Sequence, residues 1–357
     1  MNRGALNEKE AAVLNLHRPV LRFVAKILFG SIFVLTSPAT GADVGSHPEK
    51  TDVTIAYVSP SAAFTPLFVA ADAGLLAKYG LKGRLQFLGT TVAMQGLLAD
   101  EVDFCVDGPV FITPRLGGAR VKYFGAYMQR YVFQIWGAKE ITKIEQLKGK
   151  TIAVQVPRGA IDTATRETLK KYGLIPDIDV KFTYAQQGTP AILSGILTGK
   201  ISAGTLSAPL TLEARKAGLN LLADIAELDI PGLQGAYGTT EKLLSSDPNT
   251  VYGFSKAMAE GVVLARNDSA EAKKAIGRYV KVDDPKMLDA SYEAYAPYLE
   301  MSLAVRDQVI RAELDYLDPK AFPQAKNTNP KEFFDNSFVE NLERSGFLTA
   351  IGFGKRK

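Results

Sequence analysis

Polar side chains that could bind a ligand stand at corresponding places in two similar stretches of the chain. The stretches are Leu97–Pro109 (LLADEVDFCVDGP) and Ile196–Pro209 (ILTGKISAGTLSAP). Each has the pattern of a helix end, a tight turn, a short apolar strand and a polar loop. Each closes on a proline where a new helix would begin, a position that tolerates a missing N–H. The repeat predicts two similar α/β lobes that offer loops and helix N-termini to a shared cleft.

Arg158 is the sharpest candidate for contact with an anionic ligand. It stands just before a predicted helix start, and a guanidinium group there could hold a carboxylate or sulfonate through two parallel hydrogen bonds. The alternative is a surface arginine that pairs with Asp162 or Glu167.

Asp107 favours the opposite ligand chemistry. A carboxylate in the cleft would accept hydrogen bonds from an amine or a hydroxyl group. The alternative is that Asp107 caps a helix beside Gly108. If Asp107 and Arg158 both bind, the ligand carries an acidic group and a donor group.

The remaining candidates follow predicted strands or precede predicted helices. An aromatic cluster near the strands that connect the lobes is mostly core, and we expect Tyr127 alone to stack on a ligand. The full set of predicted ligand-binding residues is Ser59, Ser61, Phe64, Thr90, Thr91, Asp107, Gly108, Tyr127, Arg158, Gly159, Ala160 and Ser207.

The order of predicted elements places these loops at one edge of each sheet. Strands and helices alternate from Asp52 to Ala138, which predicts a parallel sheet with right-handed crossovers and a ligand beyond its carboxyl ends. The pattern restarts near Ile144. Residues 232–239 are predicted to return to the first lobe, and helical spacing prevails from Thr240 onward.

Composition gives no reason to expect nucleic acid as a partner. The chain has 357 residues and a formal charge of +4, and residues 1–42 carry five of the basic residues against two acidic ones. Without this segment the basic and acidic residues are nearly balanced.

Residues 1–42 have the pattern of a cleavable secretory signal peptide. Arg18, Arg22 and Lys26 precede the apolar run 27–35, which is too short to span a membrane, and small residues follow it. Cys105 is the only cysteine, so no cysteine follows the signal to carry a lipid. We expect a soluble, unanchored periplasmic protein, most simply a monomer.

The sequence offers few groups for catalysis. His17 and His47 both lie outside the predicted core, and no cysteine pair or G-x-x-x-x-G-K-[ST] phosphate loop occurs. We therefore expect no metal, no cofactor and no enzymatic activity.

Four motifs follow one another along the chain at Gly74–Leu81, Leu97–Pro109, Ile144–Val154 and Ile196–Pro209. Together they resemble the ABC-importer solute-binding proteins of the nitrate/sulfonate/taurine group, the SsuA/THI5-like or NMT1-like proteins. Gly74–Leu81 (GLLAKYGL) is similar to their "G-hh-KxGL" helix end, and Leu97–Pro109 to their "LLxGxVDhxhxGP" segment. Ile144–Val154 resembles their "DLKGKxIGV" entry to the second lobe, and Ile196–Pro209 their "LxxGxVDAxhhxxP" segment. The chain departs from the group at Asp100, where glycine is common.

The resemblance implies an α/β fold of the type II periplasmic binding protein (Venus flytrap) class with a helical C-terminal segment. Lobe 1 would comprise residues 51–138 and 236–357, with lobe 2 inserted as residues 139–235. It also implies capture of a small organic or anionic solute between the lobes and delivery to an inner-membrane permease. A periplasmic ligand sensor and a cofactor-free enzyme on the same scaffold remain the alternatives.

Overall fold

The computed structural model describes residues 47–185 and 188–354. The predicted signal peptide lies outside these residues. Within them, every strand belongs to one of two five-stranded sheets. The strands are β1 (Asp52–Tyr57), β2 (Lys82–Phe87), β3 (Phe104–Asp107), β4 (Val121–Arg130), β5 (Gln134–Gly137), β6 (Thr151–Val154), β7 (Lys181–Tyr184), β8 (Ala203–Leu206), β9 (Asn220–Asp224) and β10 (Pro231–Thr240).

The two sheets have the same topology. The first has the order β2-β1-β3-β10-β4, and the second has the order β7-β6-β8-β5-β9. In each, three neighbouring strands are parallel, and the fourth runs antiparallel to both of its neighbours. That antiparallel strand, β10 or β5, is in each case the one by which the chain enters from the other sheet. The predicted pair of similar α/β lobes is confirmed at the level of the sheets.

Helices connect the parallel strands of both sheets. They are α1 (Thr65–Asp72), α2 (Leu75–Lys78), α3 (Thr90–Leu98), α4 (Ile112–Leu116), α5 (Ala160–Lys171), α6 (Thr189–Leu197) and α7 (Leu210–Lys216). Short 3₁₀ helices precede or replace some of them at Ala62–Phe64, Pro109–Phe111, Ile144–Leu147 and Ile225–Leu228.

The chain after β10 is helical, as predicted. Its α-helices are α8 (Glu241–Ser246), α9 (Pro248–Asn267), α10 (Ser269–Ile276), α11 (Pro285–Tyr295), α12 (Asp307–Asp315), α13 (Ser337–Arg344) and α14 (Phe347–Ala350). A π-helical turn (Gly277–Lys281) follows α10, and 3₁₀ turns occur at Ala296–Tyr298, Ala325–Asn327 and Pro330–Phe333.

These C-terminal helices pack on the first sheet and its helices. One continuous apolar cluster contains Ile55 of β1, Phe68 of α1, Phe254 of α9 and Leu342 of α13. Helix α9 approaches α1 closely at Gly261, because this residue has no side chain. A Cβ there would lie 2.4 Å from the carbonyl oxygen of Pro66. The second sheet has separate apolar clusters.

Three predicted elements differ from the structure. Strand β5 pairs with β8 and β9, so residues 134–137 belong to the second sheet and not to the predicted first lobe. Conversely, β10 begins at Pro231, inside the range predicted for lobe 2. The apolar pattern around these crossing strands is continuous, and it therefore does not mark the change of sheet. The apolar spacing after Thr65 predicts one helix that ends at Gly80, but the structure divides it into α1 and α2 at Gly74, whose φ is 72°.

Candidate functional site

A cavity of about 570 Å³ lies between the two sheets. On the first sheet it is lined by the loops after β1, β2 and β3. On the second it is lined by the loops after β6 and β8. The cavity therefore lies beyond the carboxyl ends of the parallel strands of both sheets, where ligands bind in open α/β folds.

Ten of the twelve predicted residues line this cavity. They are Ser59, Ser61, Phe64, Thr90, Thr91, Asp107, Arg158, Gly159, Ala160 and Ser207. The loops come together because each follows a parallel strand, and the carboxyl ends of parallel strands meet at the same edge of a sheet.

The loop after β1 is fixed by its own hydroxyl groups. The Ser61 side chain caps the 3₁₀ helix by accepting a hydrogen bond of 3.3 Å from the N–H of Ala63. The Thr65 hydroxyl donates to the carbonyl oxygen of Ala62 at 2.6 Å. These bonds hold Ser59 and Phe64 on either side of the turn, so both side chains line the cavity.

Asp107 is the last residue of β3, and its side chain is buried. Its Oδ1 accepts a hydrogen bond of 2.6 Å from the N–H of Gly108. Burial raises the pKa of this carboxyl to about 7, although the Gly108 N–H and the Thr90 hydroxyl act in the opposite direction. The carboxyl therefore titrates near neutral pH at the cavity wall.

The loop before α5 is held by Asp162. Oδ2 of Asp162 accepts the backbone N–H of Arg158 at 2.7 Å, and Oδ1 accepts the Arg166 guanidinium at 2.8 Å. Burial raises the pKa of Asp162 despite these bonds. Arg158 has a φ of 60°, and its side chain is exposed, with the guanidinium 5.6 Å from the ring centre of Phe322. The alternative pairing of the Arg158 side chain with Asp162 or Glu167 is not observed, because Asp162 accepts its backbone N–H and Glu167 pairs with Lys170.

Tyr295 of α11 brings a third hydroxyl close to Ser61 and Ser207. Burial raises its pKa, and its Oη forms no hydrogen bond of good geometry with a described residue. It also lines a second cavity of about 250 Å³, which shares Ser207 and Phe133 with the first. Tyr295 therefore lies in the wall of the second cavity, beside two hydroxyl residues of the first.

Two of the predicted residues, Tyr127 and Gly108, are not among those that line the cavity. Tyr127 is fully buried, its hydroxyl donates to the carbonyl oxygen of Ala63 at 3.2 Å, and its side chain does not line the cavity. Its ring covers Gly235 of the neighbouring strand and belongs to the core. Gly108 lies behind the wall, where its N–H holds Asp107 and its carbonyl oxygen accepts the Tyr123 hydroxyl at 2.9 Å.

Several lining residues were not predicted from the sequence. Phe133 and Gln234 come from the two segments that cross between the sheets. The Gln234 amide accepts the N–H of Val132 and donates to its carbonyl oxygen at 3.1 Å, which joins the two crossings. The other unpredicted lining residues are Val58, Ala63, Gly89, Val92, Met94, Gln95, Pro109, Val110, Thr113, Pro114, Gln155, Val156, Pro157 and Ile161. Each of them lies within six positions of a predicted residue in the sequence.

Two structural features are not found among the described residues. None of their helices is both long and apolar enough to cross a bilayer. In the same part of the chain, His, Cys, Asp and Glu side chains do not gather in threes as a metal site requires.

The sequence matches the model of one protein family, described as NMT1/THI5 like, over residues 61–272. The chain belongs to the NMT1/THI5-like family. The matched range includes the loops after β2, β3, β6 and β8 and the later part of the loop after β1, and thus most of the cavity wall. A comparison with curated protein sequences gives no match.

Solved structures similar to this NMT1/THI5-like chain include a protein from Bordetella bronchiseptica, with a TM-score of 0.71 and 19% identity over 84% of this chain and 99% of that chain. The periplasmic nitrate-binding protein of Synechocystis has a TM-score of 0.68 and 13% identity, and the match covers 86% of this chain and 92% of that protein's chain. The periplasmic aliphatic sulphonate-binding protein of Escherichia coli has a TM-score of 0.63 and 17% identity, and the match covers 80% of this chain and 92% of that protein's chain. The predicted two-lobed periplasmic-binding-protein fold is confirmed.

Proposed function

We propose that this chain is the periplasmic solute-binding component of an ABC importer. It captures a small solute in the cavity between its lobes and delivers it to a permease in the inner membrane. The observation that carries the proposal is the cavity of about 570 Å³ that both sheets line with hydroxyl, amide and carboxyl groups. Its volume is within the range of small-molecule sites, and its walls are partly apolar.

The division of the chain supports a closing motion. Within residues 47–185 and 188–354 the chain crosses between the sheets twice, near residues 131–133 and 225–231, and the C-terminal helices pack with the first sheet. We propose that the segment between these crossings is lobe 2 and that it rotates toward lobe 1 around a bound solute.

A thermal-shift screen over small organic solutes tests this function. A solute that binds only the folded cleft raises the melting temperature, by an amount that grows with its concentration. X-ray scattering with the same solute should show a smaller radius of gyration. If no solute in a broad screen or a metabolite extract shifts the melting temperature, the proposed function is wrong.

Two matched variants localise the binding. Ala160→Phe places a ring in the cavity and should abolish the shift, because Ala160 lines the wall. Ala77→Phe adds the same ring at an exposed position of α2 and should leave the shift intact. Equal shifts in both variants would place the solute elsewhere.

A further inference from the structure

The deepest charged group of the cavity is a carboxyl without a cationic partner. Of the residues that line the cavity, Asp107 and Arg158 are the ones that carry a formal charge. Asp107 is 7% exposed. Burial raises its pKa, and the groups that oppose this shift are the Gly108 N–H and the Thr90 hydroxyl, with no Lys, Arg or His of the described residues among them.

The titratable neighbours of Asp107 supply no positive charge either. Tyr123 and Tyr127 of β4 and Cys105 of β3 face its charge, and burial raises the pKa of all three. These groups are neutral at neutral pH. An ionised Asp107 therefore presents an unbalanced negative charge to whatever fills the cavity.

Arg158 does not balance this charge. Its side chain is exposed, and its guanidinium lies over Phe322 of the C-terminal segment. It therefore stands at the rim of the cavity, whereas Asp107 lies in the buried wall.

Two of the helix N-termini at the cavity are already faced by carboxyl groups of the protein. Asp107 lies against Thr90 in the first turn of α3. Asp162 lies in the first turn of α5 and accepts the N–H of Arg158. The positive ends of these two helices are thus partly compensated, which weakens their attraction for an external anion.

The volume of the cavity argues against a compact oxyanion as well. An ion of four or five atoms fills a small part of about 570 Å³. The wall also includes the rings of Phe64 and Phe133, which favour an apolar body on the ligand.

We propose that the solute is an organic cation, with an ammonium or amidinium group that pairs with the Asp107 carboxylate and an apolar body that packs between Phe64 and Phe133. The inference rests on the proposed solute-binding function. It replaces the expectation of an anion held by Arg158 with that of a nitrogen donor held by Asp107.

Matched probes of one shape test the charge preference. Benzamidine and benzylamine carry the cation, benzoate and benzenesulfonate carry an anion on the same ring, and benzyl alcohol is neutral. Calorimetry and thermal shift should give binding of the cations at least tenfold tighter than that of the anions. Solutes that the protein retains from a metabolite extract, identified by mass spectrometry in both ion modes, should likewise be cations.

Two variants with the same change in net charge identify the partner group. Asp107→Asn should weaken cation binding at least tenfold, and Glu101→Gln, at an exposed position of the same stretch, should leave it unchanged. Wild-type affinity for benzamidine should also rise between pH 5.5 and 8 as the carboxyl ionises, a readout that does not depend on the folding of a variant.

The outcomes separate the two proposals. Tight binding of anions that Asp107→Asn strengthens, or an anionic retained solute, overturns the cation inference and leaves solute binding intact. Failure of every probe and of the extract overturns the solute-binding function and the cation inference with it.

Discussion

The Tyr131 hydroxyl donates a hydrogen bond of 2.6 Å to Oε1 of Glu313, a carboxylate that helix α12 inserts between the two strand crossings. The same oxygen accepts the N–H of Leu233 at 2.7 Å. Tyr131 lies in the crossing from β4 to β5, and Leu233 lies near the start of β10. One buried side chain of the C-terminal segment therefore binds both connections between the lobes.

This arrangement predicts a pH dependence of stability. Burial raises the pKa of Glu313 from 4.5 to about 7, although its hydrogen bonds to Tyr131 and Leu233 oppose the shift. Between these values the folded state holds more protons than the unfolded chain. The free energy of unfolding should therefore fall as the pH rises from about 4.5 to 7. Glu313→Gln should reduce this loss by roughly 1–3 kcal/mol in denaturant titrations at the two ends of the window.

The exposed Glu340 provides the control for that measurement. Glu340→Gln should show the wild-type slope of stability against pH. A wild-type slope in Glu313→Gln would mean that Glu313 does not titrate in this window. Asp107 contributes a slope of the same sign, so some pH dependence remains in the Glu313 variant.

The backbone of Leu233 lies so close to Gly108 that adding a side chain at Gly108 should destabilise the protein. A Cβ at this position would lie 2.2 Å from the carbonyl oxygen of Leu233 and 3.3 Å from Cβ of Ala160. Gly108→Ala should therefore lower the free energy of unfolding by about 1–3 kcal/mol, as overpacking does.

Gly89→Ala is the matched control for Gly108→Ala. A Cβ at Gly89 meets nothing within 4 Å, and the residue caps α3 with a φ of −62°. Alanine is the poorer N-cap, but it also lowers the entropy of the unfolded chain, so the two effects oppose each other and the net loss should be below about 1 kcal/mol. Equal destabilisation of the two variants would contradict the steric explanation.

The contact between Arg158 and Phe322 should be measurable as a coupling energy. The guanidinium lies 5.6 Å from the ring centre at a partly exposed site, so the coupling should be about 0.5–1 kcal/mol. A double-mutant cycle of Arg158→Ala and Phe322→Leu, read by chemical denaturation, gives this value. Additive effects would show that the two groups do not interact.

Tyr127 should affect stability and not ligand binding. Tyr127→Phe removes the 3.2 Å hydrogen bond to Ala63 and leaves that carbonyl buried, which should cost about 1 kcal/mol. Because Tyr127 does not line the cavity, ligand affinity should stay within twofold of the wild type. Thr90→Val, which changes a lining residue beside Asp107, should weaken binding by more than that in the same titration.

Local sequence patterns predicted the repeated architecture. The two similar stretches form a helix, a turn, a strand and a loop in both sheets, and their turn residues Asp100 and Gly199 both have positive φ values, 61° and 71°. Pro109 begins a 3₁₀ helix as expected. Pro209 is the N-cap of α7, so that helix begins one residue later than predicted, at Leu210. Loop residues at strand ends were predictable because a strand, a polar loop and a helix start are all local features.

Contacts made over long sequence distances were not predictable in this way. Phe133 and Gln234 reach the cavity only because the chain crosses twice between the sheets. Glu313 lies in a helix with ordinary amphipathic spacing, and nothing in its neighbourhood indicates a buried carboxylate. Tyr127 belongs to an aromatic run of which Phe133 lines the cavity and the other members are core, and composition alone does not separate them.

The position of β10 between β3 and β4 sets an order for folding. All strands of the second sheet lie within residues 134–224, so that sheet can form from one uninterrupted segment. The first sheet lacks an interior strand until residues 231–240 are present, and its closure joins residues more than 100 positions apart. The first lobe therefore cannot complete its sheet until the second crossing has been synthesised. During synthesis, which begins at the N-terminus, nearly all of the second lobe leaves the ribosome before the first lobe can fold completely.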